Sequence, residues 1–337
     1  APELTATKLL DNCYRGMFFG CSKLNNITML ATDIYASNCL NDWVNGVAPT
    51  GTFTKAPSMT SLPTGVNGIP EGWTVADYTD YMTLSALGDG EITITIPAQV
   101  NSSVATSLSY SKDKSTWTDT IVDNTAQTIS IPVTSGENVY LKGIAKQLSN
   151  YDYSININST VNIDASGNIM SLLYGDDYKD KVELPSESKY TFRELFKNNA
   201  HLINTENIVI PATKLASRCY SNMFYNCTSL TTAPELPATT LTEWCYSSMF
   251  DGCSSLTTAP ELPATKLTQG CYSGMFSGCT SLTTATELPA TKLEYYCYED
   301  MFYGCTSLTT PPSLPAMKLA IRCYDSMFRG CSSLTTA

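Results

Sequence analysis

Two cysteines, eight residues apart, return every 26 residues: Cys219 with Cys227, Cys245 with Cys253, Cys271 with Cys279, Cys297 with Cys305, and Cys323 with Cys331. This period constrains the fold more than composition does. A unit of 26 residues cannot bury an apolar side alone, so it must stack on its neighbours. Cys13 and Cys21 repeat the spacing near the N-terminus. Cys39 stands 26 residues after Cys13, with Val47 where its partner would be, which accounts for all 13 cysteines.

One full unit, 245–267, reads CYSSMFDGCSSLTTAPELPATKL. Cys, Met-Phe and Cys recur at about one and two helical turns, which predicts a short helix. Gly252, Gly278, Gly304 and Gly330 mark where it stops. The β-branched Leu-Thr-Thr-Ala stretch predicts a strand, ended by Pro234, Pro260 and Pro311, with Thr286 in the remaining coil. One helical turn, one strand and one return make a solenoid coil, stacked at about 4.8 Å per strand step. Met249, Phe250, Leu256, Leu262 and Leu267 then form columns with their counterparts.

The string MFDGCSSLTTAPELPA, residues 249–264, resembles the cysteine-rich variety of BspA-type leucine-rich repeats, and the likeness extends over about 200 of the 337 residues. The resemblance implies a cell-surface or secreted protein of the adhesion class, without enzymatic activity as its hallmark. Three readings of the cysteine pairs stay open. Buried thiols in stacked columns are favoured, because free Cys is among the most buried residue types. A disulfide requires the helix to fold back, since eight helical residues place the Cα atoms about 12 Å apart. Metal binding lacks C-x-x-C spacing and histidine support.

The fold class expected is therefore a mixed α/β repeat solenoid of leucine-rich-repeat type plus an all-β, Ig-like sandwich. Residues 1–50 read as the end of one solenoid, with Trp43-Val44 in the Met-Phe slot, and 51–75 as a Gly/Pro/Thr-rich cap. Residues 76–160 alternate in the strand manner over 91–97, 107–111, 128–133 and 138–144. The segment 109–119 looks like a shortened Asp-box hairpin, with Trp117 expected in the core. Residues 161–190 connect the sandwich to a second solenoid, 191–337. Asp176, Asp177 and Asp180 read as a solvated acidic turn. His201, the sole histidine, falls in an atypical first coil, where Leu195-Phe196 replaces Met-Phe.

Two sets of positions vary from coil to coil and would line up as a stripe. Before the first cysteine stand Arg218, Trp244, Tyr295, Tyr296 and Arg322; after Met-Phe stand Phe19, Tyr225, Asp251, Ser277, Tyr303 and Arg329. Arg218, Trp244, Tyr295, Tyr296, Arg322, Tyr225, Tyr303 and Arg329 are the candidate binding stripe, given the aromatic and Arg bias of interface hot spots. Ala1 and Ala337 occupy the phase of Ala259, which reads as an excised piece of a longer tandem protein or as copies stacked head to tail. The stacking residues would be Leu4, Leu9, Cys13, Met17 and Phe18 against Cys323, Met327, Phe328, Cys331 and Leu334.

A net charge of −11 disfavours nucleic acid, which needs clustered Lys and Arg. No apolar run approaches the roughly 20 residues of a bilayer span. No triad, phosphate loop or metal constellation appears, so no enzyme, cofactor or metal is expected. The expectation is an extracellular or cell-surface protein that binds a protein, host-surface or glycan ligand, or itself. The alternative is a glycan-binding accessory module with the sandwich as the carbohydrate site, favoured by exposed coplanar aromatics there.

Overall fold

The computed structural model describes residues 3–335 apart from 5, 7, 57–58, 60–61, 78–79, 99–104, 121–124, 147 and 180. Ala1, Ala337 and Asp180 lie outside the described residues. The chain forms two compact units, 1–79 and 80–337.

In the first unit, one short strand from each coil joins a parallel sheet. Its strands are β1 (Glu3–Leu4), β2 (Asn26–Met29), β3 (Thr52–Lys55) and β4 (Thr74–Asp77), in that order. Leu9, Ile27, Met29, Trp43 and Phe53 fill its core. Trp43 takes the Met-Phe slot fully buried, its indole N–H donating to the Gly68 carbonyl at 2.9 Å. Trp73 does the same to Ala48 at 2.7 Å, which ties the Gly/Pro-rich segment down.

The second unit begins with two sheets. Its strands are β5 (Met82–Ala86), β6 (Gly90–Ile96), β7 (Ala105–Ser111), β8 (Thr118–Thr120), β9 (Gln127–Val133), β10 (Asn138–Ala145), β11 (Asn156–Ser159), β12 (Ile163–Asn168) and β13 (Leu202–Val209). One sheet has the order β13-β12-β5-β10-β7-β8 and the other β11-β6-β9. Ile92, Ile94, Ile96, Ile131 and Val133 of the small sheet share one apolar core with Met82, Leu84, Leu108, Val139 and Leu141 of the large one. β12 pairs antiparallel with β5 and parallel with β13, the strand of the first coil, so this sheet runs directly into the solenoid.

The solenoid departs from the expected helix. Its only α-helix among the described residues is α1 (Ser171–Tyr174), outside the repeats. The Cys-Tyr-x-x-Met-Phe-x-x-Cys segment is a ribbon of overlapping β-turns. Odd residues donate locally, as from Cys219 to Ala216, Ser221 to Arg218, Met223 to Tyr220, Tyr225 to Asn222 and Cys227 to Phe224. Even residues donate to the next coil, from Arg218 to Glu243, Tyr220 to Cys245, Asn222 to Ser247, Phe224 to Met249 and Asn226 to Asp251, at 2.6–3.0 Å. Every fourth residue has positive φ, as at Arg218 (55°), Asn222 (55°) and Asn226 (57°). An α-helix of L-residues excludes that pattern. The expected Thr strand shrinks to single parallel bridges, Asn204 to Thr232 and Thr258 to Thr284 to Thr310.

Stacking aligns the apolar columns. Phe196, Phe224, Phe250, Phe276, Phe302 and Phe328 follow one another at 5.3–5.7 Å between centroids. Phe192, Tyr220, Tyr246, Tyr272, Tyr298 and Tyr324 do so at 5.4–6.0 Å. All 13 cysteines are thiols, buried except Cys13 and Cys21. The second thiol of each coil donates to the Phe carbonyl of the preceding coil: Cys227 to Phe196, Cys253 to Phe224, Cys279 to Phe250, Cys305 to Phe276 and Cys331 to Phe302, at 3.0–3.2 Å. Burial pushes the Cys227 and Cys305 thiols up to about 12, which keeps them protonated donors.

Two substitutions separate packing from polarity. Phe250→Ala, in mid-column, should cost about 3–5 kcal/mol in chemical denaturation. The Tyr246 hydroxyl is buried with no protein partner, so Tyr246→Phe should leave stability unchanged or raise it. A loss as large as that of Phe250→Ala would show the hydroxyl to be a structural bond.

Candidate binding face of the solenoid

The residue before each first cysteine, and Tyr190 at the same place in the cysteine-free first coil, sits at the positive-φ corner of the ribbon: Tyr190, Arg218, Trp244, Gly270, Tyr296 and Arg322, with φ between 55° and 61°. The corner throws its side chain outward, and the 26-residue step lays one upon the next. The Arg218 guanidinium lies 6.0 Å from the Tyr190 ring and 5.2 Å from the Trp244 ring. Trp244 stacks on Tyr296, two coils away, at 6.1 Å and 28°. Gly270 makes that reach feasible, because a Cβ there would run into the indole. Arg322 closes the column over Tyr296 at 5.4 Å, and ion pairs with Glu299 and Asp325 orient it.

A second file follows Met-Phe. Lys197 lies over Tyr225 at 5.7 Å, and Arg329 over Tyr303 at 5.8 Å. Asp251 separates the two pairs. Loss of water around its carboxyl, with the Asp300 charge adding to it and a Ser277 hydrogen bond opposing, pushes it up to about 6. Tyr295 belongs to neither column and is half exposed, at 51%.

The predicted stripe is thus two columns and one free ring. Arg218, Trp244, Tyr296 and Arg322 come together; Tyr225 stands apart from Tyr303 and Arg329. Tyr190 and Lys197 went unnoticed in the sequence because the first coil is two residues longer, so a search at 26 steps past them. Among the stacking residues, Leu4, Leu9 and Phe18 are buried in the first unit while Cys13 and Met17 are exposed; Cys323, Met327 and Cys331 are buried in the second, and Phe328 and Leu334 half-buried.

The two-sheet module gives the carbohydrate reading little. Trp117 is half-buried, with the Lys142 ammonium 4.2 Å over its ring and Tyr81 edge-on at 5.0 Å. Tyr110 is half-buried too. Asp113 accepts from the Ser115 and Thr116 N–H groups, which hold its carboxyl well below the usual range in a tight turn. Asp176 is engaged by Tyr81 and Lys142. Among the described residues no three His, Cys, Asp or Glu side chains converge as metal ligands, and no helix is long and apolar enough to cross a membrane. A groove of about 570 Å³ on the Thr-Thr-Ala-Pro-Glu face carries Glu206, Glu235 and Glu261 and is lined by no Lys, Arg, His or Cys.

The family model for the BspA type leucine rich repeat region matches residues 193–335 in six copies. No curated protein and no solved structure matches the chain.

Gly270→Ala should push the Trp244 ring off Tyr296, losing about 0.5–1.5 kcal/mol of ring stacking and changing the tryptophan emission. Unchanged emission and stability would show that the column carries no load. For Asp251 the native pKa exceeds the unfolded one, so the native state holds the proton more tightly. Its contribution is full below about pH 4 and falls as pH rises to about 6. Asp251→Asn should therefore be more stable than the parent above pH 6 and converge with it near pH 4, read from denaturation midpoints.

Proposed function

The chain is a BspA-type leucine-rich-repeat protein, and we propose that it is a non-enzymatic extracellular or cell-surface protein acting in adhesion through the lateral columns of its solenoid. The observation that carries this reading is the outward row at the positive-φ corners. Each coil of the second solenoid adds one side chain, and five of the six are aromatic or Arg. Tyr and Arg on a rigid frame lose little freedom on binding, which is the economy of interface anchors. Neighbouring cations and rings fix the columns before any ligand arrives. Tyr295, Tyr303 and Arg329 offer the exposed part of that surface.

The two-sheet module reads as an Ig-like sandwich serving as a spacer. Its strand β12 feeds straight into the solenoid, and the Trp117 indole beside the edge strand β8 is covered by Lys142 rather than open to a sugar ring. The ligand class is a protein or glycan of a host surface. Family membership and the absence of an apolar membrane-spanning helix among the described residues are both compatible with display outside the cell.

Tyr295→Ala combined with Tyr303→Ala should lower retention on immobilised extracellular-matrix proteins or mucin glycans at least tenfold, with the melting temperature unchanged. Parent-level retention by the double variant on every surface that holds the parent would remove this exposed lateral face from the binding site.

A further inference from the structure

The return segments of successive coils carry charge at two fixed positions. Glu235, Glu261 and Glu287 occupy the first, and Lys266, Lys292 and Lys318 the second, five residues further on, with Thr240 and Ser313 as the neutral exceptions. All six charged side chains are exposed. Parallel bridges join Lys266 to Lys292 and Lys292 to Lys318, so the three lysines stack one coil apart. The Thr258–Thr284 bridge fixes the same step beside the Glu row. Like charges directly opposite one another on neighbouring strands repel. Little within the chain relieves the Lys row. Lys266 and Lys318 have no ion pair among the described residues, and Lys292 stays 84% exposed beside Glu294. The Glu row meets no cation either, since the groove of about 570 Å³ that holds Glu206, Glu235 and Glu261 is lined by no Lys, Arg or His. Pro234 and Pro260 in that groove have no N–H to offer an added strand. What it does offer is carboxylate charge beside apolar proline and alanine walls.

We propose that this acidic groove receives the row of Lys266, Lys292 and Lys318 from a second copy of the chain, so that solenoids associate side by side. Charge complementarity and pitch together select a second copy as the occupant. Both rows advance one residue per coil, about 4.8 Å per step. Three consecutive ammonium groups therefore meet consecutive carboxylates with neither chain having to deform. A lysine suits the groove, because its aliphatic stem lies along apolar surface while the ammonium reaches past it. The repulsion inside each row is exchanged for attraction between rows. In a chain of net charge −11, the Lys row is the patch that an acidic groove can hold. The contact uses none of Trp244, Tyr295 or Tyr303, so it goes beyond the adhesion reading and stands or falls apart from it.

Charge reversal tests the pairing from both sides. One variant combines Glu235→Lys with Glu261→Lys, and the other Lys266→Glu with Lys292→Glu, all at exposed positions that leave the columns intact. Sedimentation velocity of the parent over a concentration series should show self-association. It should weaken about tenfold between about 0.1 M and 1 M salt, as the screening length falls from about 10 Å to about 3 Å. Each variant alone should be monomeric with parental circular dichroism and melting temperature. An equimolar mixture of the two should associate again, because the lysines of the first fit the unaltered groove of the second. A parent that is monomeric at every concentration, self-association indifferent to both variants, or a mixture that stays monomeric would overturn the proposal. A monomeric parent that binds polylysine, with binding lost in the Glu235→Lys, Glu261→Lys variant, would overturn it too, by giving the groove to a foreign cationic partner.

Discussion

Half of the backbone N–H groups in each turn ribbon have no acceptor within their own coil. An unpaired buried N–H costs about 1–3 kcal/mol, and five per coil face the neighbour in the internal junctions. A single coil is therefore not a folding unit. The Phe and Tyr columns act in the same direction, since each ring is covered on both faces only when coils lie above and below it. Stability in such a chain is approximately a sum of coil and junction contributions. The first coil of the second solenoid gives its even N–H groups to the next coil, and its carbonyls on the opposite edge take donors from Ser149, Asn156 and Ile157 of the preceding module.

The second cysteine solves a local problem created by that ribbon. The Phe224 carbonyl already accepts the Cys227 N–H inside its own turn, and its remaining lone pair faces the apolar column. The Cys253 thiol meets it at 3.1 Å. A thiol is small enough for the column and still a donor, and burial keeps it protonated. The thiolate is the reactive form, so the nine stacked thiols that burial raises persist without becoming nucleophiles. Val47, which replaces this cysteine in the first unit, keeps the volume and gives up the donor.

The period, the coil phase and the apolar columns were legible because every coil fills the same slots, and identical slots demand identical residues. The ribbon's conformation was not. Apolar pairs at Cys219-Tyr220, Met223-Phe224 and Cys227 fit a helix face and a four-residue turn repeat equally well, and hydrophobic spacing cannot separate them. A separating signal was present in one coil, where Gly270, Gly274 and Gly278 fall four apart at the positions that need positive φ. The variable residues of the stripe were also legible. Their mutual stacking was not, because it depends on the outward corner and on Gly270 leaving room for Trp244 to reach Tyr296.

Those corners explain how one scaffold holds a fixed core beside a changeable face. The hydrogen bonds of the ribbon between coils use backbone N–H and carbonyl groups, joined by the thiol of each second cysteine, and the columns inside use Cys, Tyr, Met and Phe. Neither depends on which side chain stands at 218, 244, 270, 296 or 322. What the corner does require is tolerance of positive φ, about 1–2 kcal/mol for a residue with a Cβ, and a partner to lie against. A cation between two rings meets the second demand at Arg218, and a glycine meets the first at position 270. The face can therefore vary one coil at a time, while each new side chain is constrained by the coils on either side of it. That arrangement separates the residues that fold the solenoid from those it presents laterally, and it is why the proposed function places contact on the lateral columns rather than on the core.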